Sequence, residues 1–143
     1  NARPLEMSGA MGIEQIKKLP KFLAKRRENA DYFKGLFYDH PYLRIQKEIG
    51  ISSWFGFSLV IKESANIERE KITFLLMDNG IECRPIVTGN FAKNEVINFF
   101  NYEIFGSLEN AEYMDKNGFF IGNHHVKIEE MILYLKKTLD KLS

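Results

Sequence analysis

Ser53 to Lys62, SWFGFSLVIK, is the stretch that most limits how this chain can fold. It is aromatic and β-branched through its middle and polar at both ends, which is the signature of a strand. Leu43 to Gln46 reads as a short strand before it. Ile81 to Val87 and Phe119 to Ile121 read as further strands after it. Between and around these lie helical patterns. Ile67 to Asn79 carries Ile67, Ile72, Leu75 and Leu76 on an inward stripe, with Gly80 where a helix C-terminal cap sits. Lys93 to Phe100 reads as a short helix and Leu108 to Asn117 as another, ended by Gly118. Lys127 to Leu142 closes the chain, with Ile128, Met131, Ile132, Leu135 and Leu139 on one stripe. Strands interleaved with helices predict an α/β (α+β) class: a small sheet covered by helices.

The first forty residues are helical in pattern. Leu5, Gly9, Gly12, Ile13, Ile16 and Leu19 recur at steps of three and four, giving one apolar stripe. The small residues Ser8, Gly9, Ala10 and Gly12 suit either close approach of another backbone or simply a weak helix start. Pro20 is expected to break or restart this helix. A second helix is predicted from Lys21 to Phe37, with Phe22, Ala30, Phe33 and Phe37 near one face. Lys17, Lys18, Lys21, Lys25, Arg26 and Arg27 form a basic run, read as a solvated helix face.

Charge and cysteine content narrow the function classes. Twenty Lys and Arg against nineteen Asp and Glu leave a net charge of +1, without the basic excess of a dedicated nucleic-acid binder. Cys83 is the single cysteine, so no intrachain disulfide and no cysteine metal cluster can form. No apolar run approaches the ~20 residues of a membrane span. These features predict a cytoplasmic protein with no nucleic-acid or membrane partner. The chain opens on Asn1 without an initiator Met, and the expectation is that residues 1–143 are one small domain of a longer protein.

Few residues carry recognisable chemistry. In a strand over Ile81-Glu82-Cys83-Arg84-Pro85, Glu82 and Arg84 share one face and Cys83 falls on the other. Glu82 and Arg84 are then either an exposed ion pair or a substrate-facing pair in which Arg84 grips phosphate or carboxylate. Cys83 reads as a packing residue. Gly89-Asn90 is a turn dipeptide, and Asn90 is a candidate hydrogen-bonding partner for a ligand. His124 and His125 are adjacent, a poor spacing for metal ligation without a third ligand. His124 is either structural or a ligand contact. No phosphate-binding glycine loop and no catalytic triad spacing is present.

The order of several segments adds to this. Asn1-Ala2-Arg3-Pro4, followed by the small-residue helix into Gly12-Ile13-Glu14-Gln15-Ile16-Lys17-Lys18-Leu19, resembles the start of the C-terminal domain in the DegT/DnrJ/EryC1/StrS family. Arg26-Arg27-Glu28-Asn29-Ala30, Gly80-Ile81-Glu82-Cys83-Arg84-Pro85, Asn110-Ala111-Glu112 and the loop at His124 follow in the family's order. The resemblance implies the small domain of a fold-type I pyridoxal-phosphate (PLP) sugar enzyme, with a mostly antiparallel sheet and long N-terminal helices. Typical aminotransferases of the family follow Arg-Pro with a segment holding Pro and His. Ile86-Val87-Thr88-Gly89-Asn90-Phe91 departs from it and resembles the branch of 3-dehydratases that act on nucleotide-linked 4-keto-6-deoxy sugars in deoxysugar and lipopolysaccharide biosynthesis. A sugar aminotransferase domain and a non-enzymatic interaction domain are the alternatives. By resemblance, Asn1 and Arg3 contact PLP in a neighbouring subunit's site, while Glu82, Arg84, Asn90 and His124 line the substrate side. A homodimer with shared sites and a glutamate co-substrate are implied as well. No catalytic base and no metal ligand is expected within this chain, which is expected to be inactive alone.

Overall fold

The computed structural model describes Arg3 and residues 5–142. Among the described residues four α-helices, α1 (Glu6–Phe37), α2 (Arg69–Asp78), α3 (Glu109–Asn117) and α4 (Glu129–Leu139), accompany three strands, β1 (Leu43–Ile45), β2 (Gly56–Ile61) and β3 (Gly118–Gly122). The strands form one antiparallel sheet in the order β1-β2-β3, with Leu43 opposite Ile61 and Gly56 opposite Gly122. The expected class is therefore observed, with β2 as the central strand.

Alternation along β2 sends Phe57, Leu59 and Ile61 into the core, where Phe119 and Ile121 of β3 join them. Ala30, Phe33 and Phe37 of α1, Ile72 and Leu76 of α2, and Ile132, Leu135 and Leu139 of α4 cover that face. Phe33 stacks on Phe37 at 4.6 Å and on Phe57 at 4.2 Å between ring centroids. Burial of such side chains is worth about 1.5–3 kcal/mol each, so this aromatic column ties the helix layer to the sheet.

Helix α1 differs from expectation. It runs unbroken for 32 residues with Pro20 inside it. Proline removes the N–H that would bond the Ile16 carbonyl, but that turn is exposed, so water can satisfy the carbonyl. Strong helix formers flank the site, and the i,i+3 pairs Glu14–Lys17, Lys25–Glu28 and Asp31–Lys34 support both halves. The predicted pair of N-terminal helices is thus one helix. Only its second half is packed. Leu5, Met7, Met11, Ile13, Ile16 and Leu19 are all exposed, and, the helix's own neighbouring backbone and adjacent residues aside, no described atom lies within 4 Å of where a Cβ on Gly9 or Gly12 would stand.

The predicted strand over Ile81–Val87 is reduced to a single bridge, Arg84 to Phe120. Pro85 has no N–H to continue a ladder, and Val87 takes φ 45° in a turn closed by the Gly89 N–H on the Ile86 carbonyl. The predicted helix over Lys93–Phe100 is instead two short 3₁₀ turns, Phe91–Lys93 and Glu95–Phe99, started by Asn90 and Asn94 side chains that accept from Ala92 and Val96 N–H groups. Met131, placed on the inward stripe of α4, is exposed.

Candidate functional site

A cavity of about 570 Å³ opens where β2 begins and β3 ends, against the first half of α4. Its approach is set by the end of α2. Gly80, at φ +72°, donates to the Met77 carbonyl at 2.9 Å and Ile81 donates to the Leu76 carbonyl at 2.8 Å. This pair of bonds is a Schellman cap, which needs a residue comfortable at positive φ. The cap turns the chain off α2, and the double backbone bond of Arg84 with Phe120 at 3.0 and 2.7 Å then fastens it beside β3. Glu82 and Arg84 are delivered to the cavity wall by these two local devices.

Three of the residues expected on the substrate side meet here: Glu82, Arg84 and His124. Arg84 donates to Glu82 Oε1 from Nε at 2.9 Å and from Nη2 at 2.6 Å. Nη1 makes no hydrogen bond among the described residues. His124 is exposed and its ring stacks on His125 at 4.2 Å, and His125 in turn lies 4.1 Å from Phe22. Loss of hydration, with the nearby His124 and Arg26 charges adding to it, holds the His125 imidazole below its ordinary pKa. Cys83 sits behind this wall. Burial first, then the Glu82 charge, pushes its thiol up, so it is held as a packing thiol and not as a nucleophile.

The structure does not bring Asn90 to the cavity. Its Oδ1 accepts from Ala92 at 3.2 Å, and its Nδ2 donates to Glu112 at 3.0 Å. Lys93 bonds the same Glu112 and reaches Asp115 at 3.3 Å, so this strap is tied to α3. Arg3 is exposed ahead of α1. Asn1 lies outside the described residues.

Sequence reasoning missed the apolar half of the cavity: Phe55, Phe120, Met131 and Tyr134. Phe55 and Phe120 stack at 5.8 Å with an angle of 11° between planes. Arg26 lies over Phe55, 5.7 Å from its centroid. One signal was present: adjacent residues in a strand face opposite ways, so Phe119 and Phe120 could not both be core.

An antiparallel sheet covered by helices thus carries an arginine–carboxylate pair and an imidazole at its end. Residues 1–131 match the DegT/DnrJ/EryC1/StrS aminotransferase family, and the chain belongs to that family. It is 58% identical over 142 residues to the GDP-4-keto-6-deoxy-D-mannose 3-dehydratase of Yersinia pseudotuberculosis, covering 99% of this chain and 36% of that protein. The solved structure of the Escherichia coli GDP-4-keto-6-deoxy-D-mannose-3-dehydratase with bound hydrated PLP is similar over 97% of this chain and 36% of that one, at a TM-score of 0.94 and 55% identity. A further structure of a GDP-4-keto-6-deoxymannose-3-dehydratase, a mutant with bound GDP-perosamine, is 54% identical with the same TM-score, 0.94, over 97% of this chain and 36% of that one. The chain thus spans about a third of the length of these relatives. Among the described residues no helix is long and apolar enough to cross a membrane.

Proposed function

We propose that this chain is the C-terminal domain of a PLP-dependent nucleotide-sugar 3-dehydratase. Its substrate is a 4-keto-6-deoxy hexose carried on a nucleoside diphosphate, in deoxysugar and lipopolysaccharide biosynthesis, with glutamate as co-substrate. The observation that carries this reading is a match at 55–58% identity over nearly the whole chain to enzymes named for that reaction. The enzyme is cytoplasmic and homodimeric in this reading, with residues from both subunits at each site.

The residues of this chain suit the substrate side. A guanidinium is the group of choice for a diphosphate, and Glu82 holds Arg84 in place while itself accepting hydrogen bonds. The stacked pair Phe55 and Phe120 offers a flat apolar wall beside these charges. His124 offers a donor or acceptor at the rim. Asn90 is carried on the substrate side by the resemblance alone. None of the residues lining the cavity is assigned to the cofactor; PLP, when bound, supplies an electron sink. By the resemblance Asn1 contacts the PLP phosphate and Arg3, exposed ahead of α1, stands near cofactor and substrate, both in a neighbouring subunit's site.

The test uses the full-length enzyme with PLP, glutamate and a nucleotide-linked 4-keto-6-deoxy hexose. Ammonia release with loss of the C3 hydroxyl is the expected result. A stable amino sugar formed without ammonia would make the enzyme an aminotransferase.

A further inference from the structure

The loop that presents His124 has no regular secondary structure between β3 and α4, yet two buried asparagines hold it almost residue by residue. Asn29, on α1 and 1% exposed, shares the two hydrogens of its Nδ2 among three acceptors, Asn123 Oδ1 at 3.1 Å, the His124 carbonyl at 3.0 Å and the Val126 carbonyl at 2.8 Å. Its Oδ1 accepts from the Ile128 N–H at 3.3 Å. Asn123, also buried, donates from Nδ2 to the Arg26 carbonyl at 3.0 Å and the Trp54 carbonyl at 2.9 Å. Its own N–H reaches the Phe55 carbonyl at 3.3 Å. The loop is thereby fastened to α1 on one side and to the start of β2 on the other.

Chemistry explains why amides stand here. A buried loop backbone exposes carbonyls and N–H groups alternately, and an asparagine side chain supplies both a donor pair and an acceptor. Left unpaired, those groups would carry the full cost of desolvation. Fully paired, they admit one arrangement of the loop and exclude its neighbours. In that arrangement the His124 carbonyl points inward to Asn29, and the His124 side chain is left at the surface, on the cavity wall with Glu82 and Arg84. The same fastening supports the stack of His124 on His125 and of His125 on Phe22.

Resting on the reading of this cavity as substrate-facing, we propose that Asn29 and Asn123 are positioning residues: they set the His124 imidazole against the bound nucleotide sugar. Asn29 lies off the cavity, and Asn123, which lines it, turns its side-chain amide to the Arg26 and Trp54 carbonyls; both act through His124.

The test is a double-mutant cycle in the full-length enzyme, reading KM for the nucleotide sugar, kcat and Tm. Asn123→Ser and Asn29→Ala are each made alone and in a His124→Ala background. The expected result is a KM raised about tenfold by either asparagine substitution, the size of one lost contact, with kcat nearly unchanged. In the His124→Ala background the same substitutions leave KM where it was and still lower Tm, because the two sites are coupled in binding but not in folding. If His124→Ala alone leaves KM unchanged, the substrate-facing reading of His124 fails and the proposal falls with it. If His124→Ala raises KM but the asparagine substitutions change only Tm, or raise KM equally in both backgrounds, positioning is overturned while that reading stands. If neither asparagine variant yields folded enzyme, the network is a folding element only and the proposal is overturned.

Discussion

Arg84 holds one carboxylate oxygen of Glu82 with two of its nitrogens, at 2.9 and 2.6 Å, while both side chains stay largely in solvent. An exposed pair of this kind contributes at most about 1 kcal/mol to folding. It nevertheless fixes the plane of the guanidinium at the mouth of an apolar cavity. Arg84→Lys keeps the charge and loses the fork. In the full-length enzyme it is expected to raise KM for the nucleotide sugar by about tenfold and to leave Tm nearly unchanged. Steady-state kinetics with a thermal melt decides it, and an unaltered KM would remove Arg84 from the substrate site.

Arg3 stands exposed ahead of α1, away from the core. Arg3→Ala is expected to lower turnover of the full-length enzyme while changing stability by less than about 0.5 kcal/mol, as for a surface position. Unchanged turnover would refute its part in the cofactor site. The isolated chain, about a third of the length of its relatives, is expected to retain no PLP absorbance above background after dialysis, because the cofactor site is completed by parts outside it; a stable yellow complex would overturn that.

His40 is buried between Phe37 and Tyr42, and neither ring nitrogen has a hydrogen-bond partner among the described residues. Burial, then the Lys136 charge, lowers its pKa from 6.5 to about 4, against the opposing pull of Asp140 at 4.0 Å. A folded pKa below the unfolded one means that the unfolded chain binds the proton more readily. Stability is therefore whole above pH 6.5 and falls as the pH drops from 6.5 through about 4, by up to about 3 kcal/mol. Urea unfolding at several pH values checks this, and His40→Leu is expected to flatten the dependence in that window.

Gly56 begins β2 opposite Gly122. A methyl group there would overlap the Phe120 ring and stand 2.7 Å from the Ile121 carbonyl oxygen. Gly56→Ala is expected to destabilise the domain by about 1–3 kcal/mol, since the backbone oxygen cannot step aside as a side chain can. A lowered denaturation midpoint with a disturbed Phe55–Phe120 stack is the expected outcome; an unmoved midpoint would show that β3 yields at low cost.

Much of the architecture was legible along the chain because its signals are local. SWFGFSLVIK announced β2, the Asn79-Gly80 pair announced the end of α2, and Phe119 to Ile121 announced β3. Where a local signal failed, a specific competitor won. Pro20 did not break α1, because strong helix formers surround it and its orphaned carbonyl faces water. Ile81 to Val87 did not become a strand, because Pro85 and the turn at Val87 stop the ladder after Arg84.

The candidate site divides the same way. The residue types at Glu82, Arg84 and His124, and the order of motifs that marks the family, are readable along the chain. The folded chain separates Asn90 from the other three, which share one cavity, stacks Phe55 and Phe120 beside them, and lets Asn29 reach across more than ninety residues to hold the His124 loop. Propensities, caps and turns act over a few residues and are written locally. A cavity wall and a buried hydrogen-bond network depend on which distant segments are brought together, and that is settled only when the helices close over the sheet.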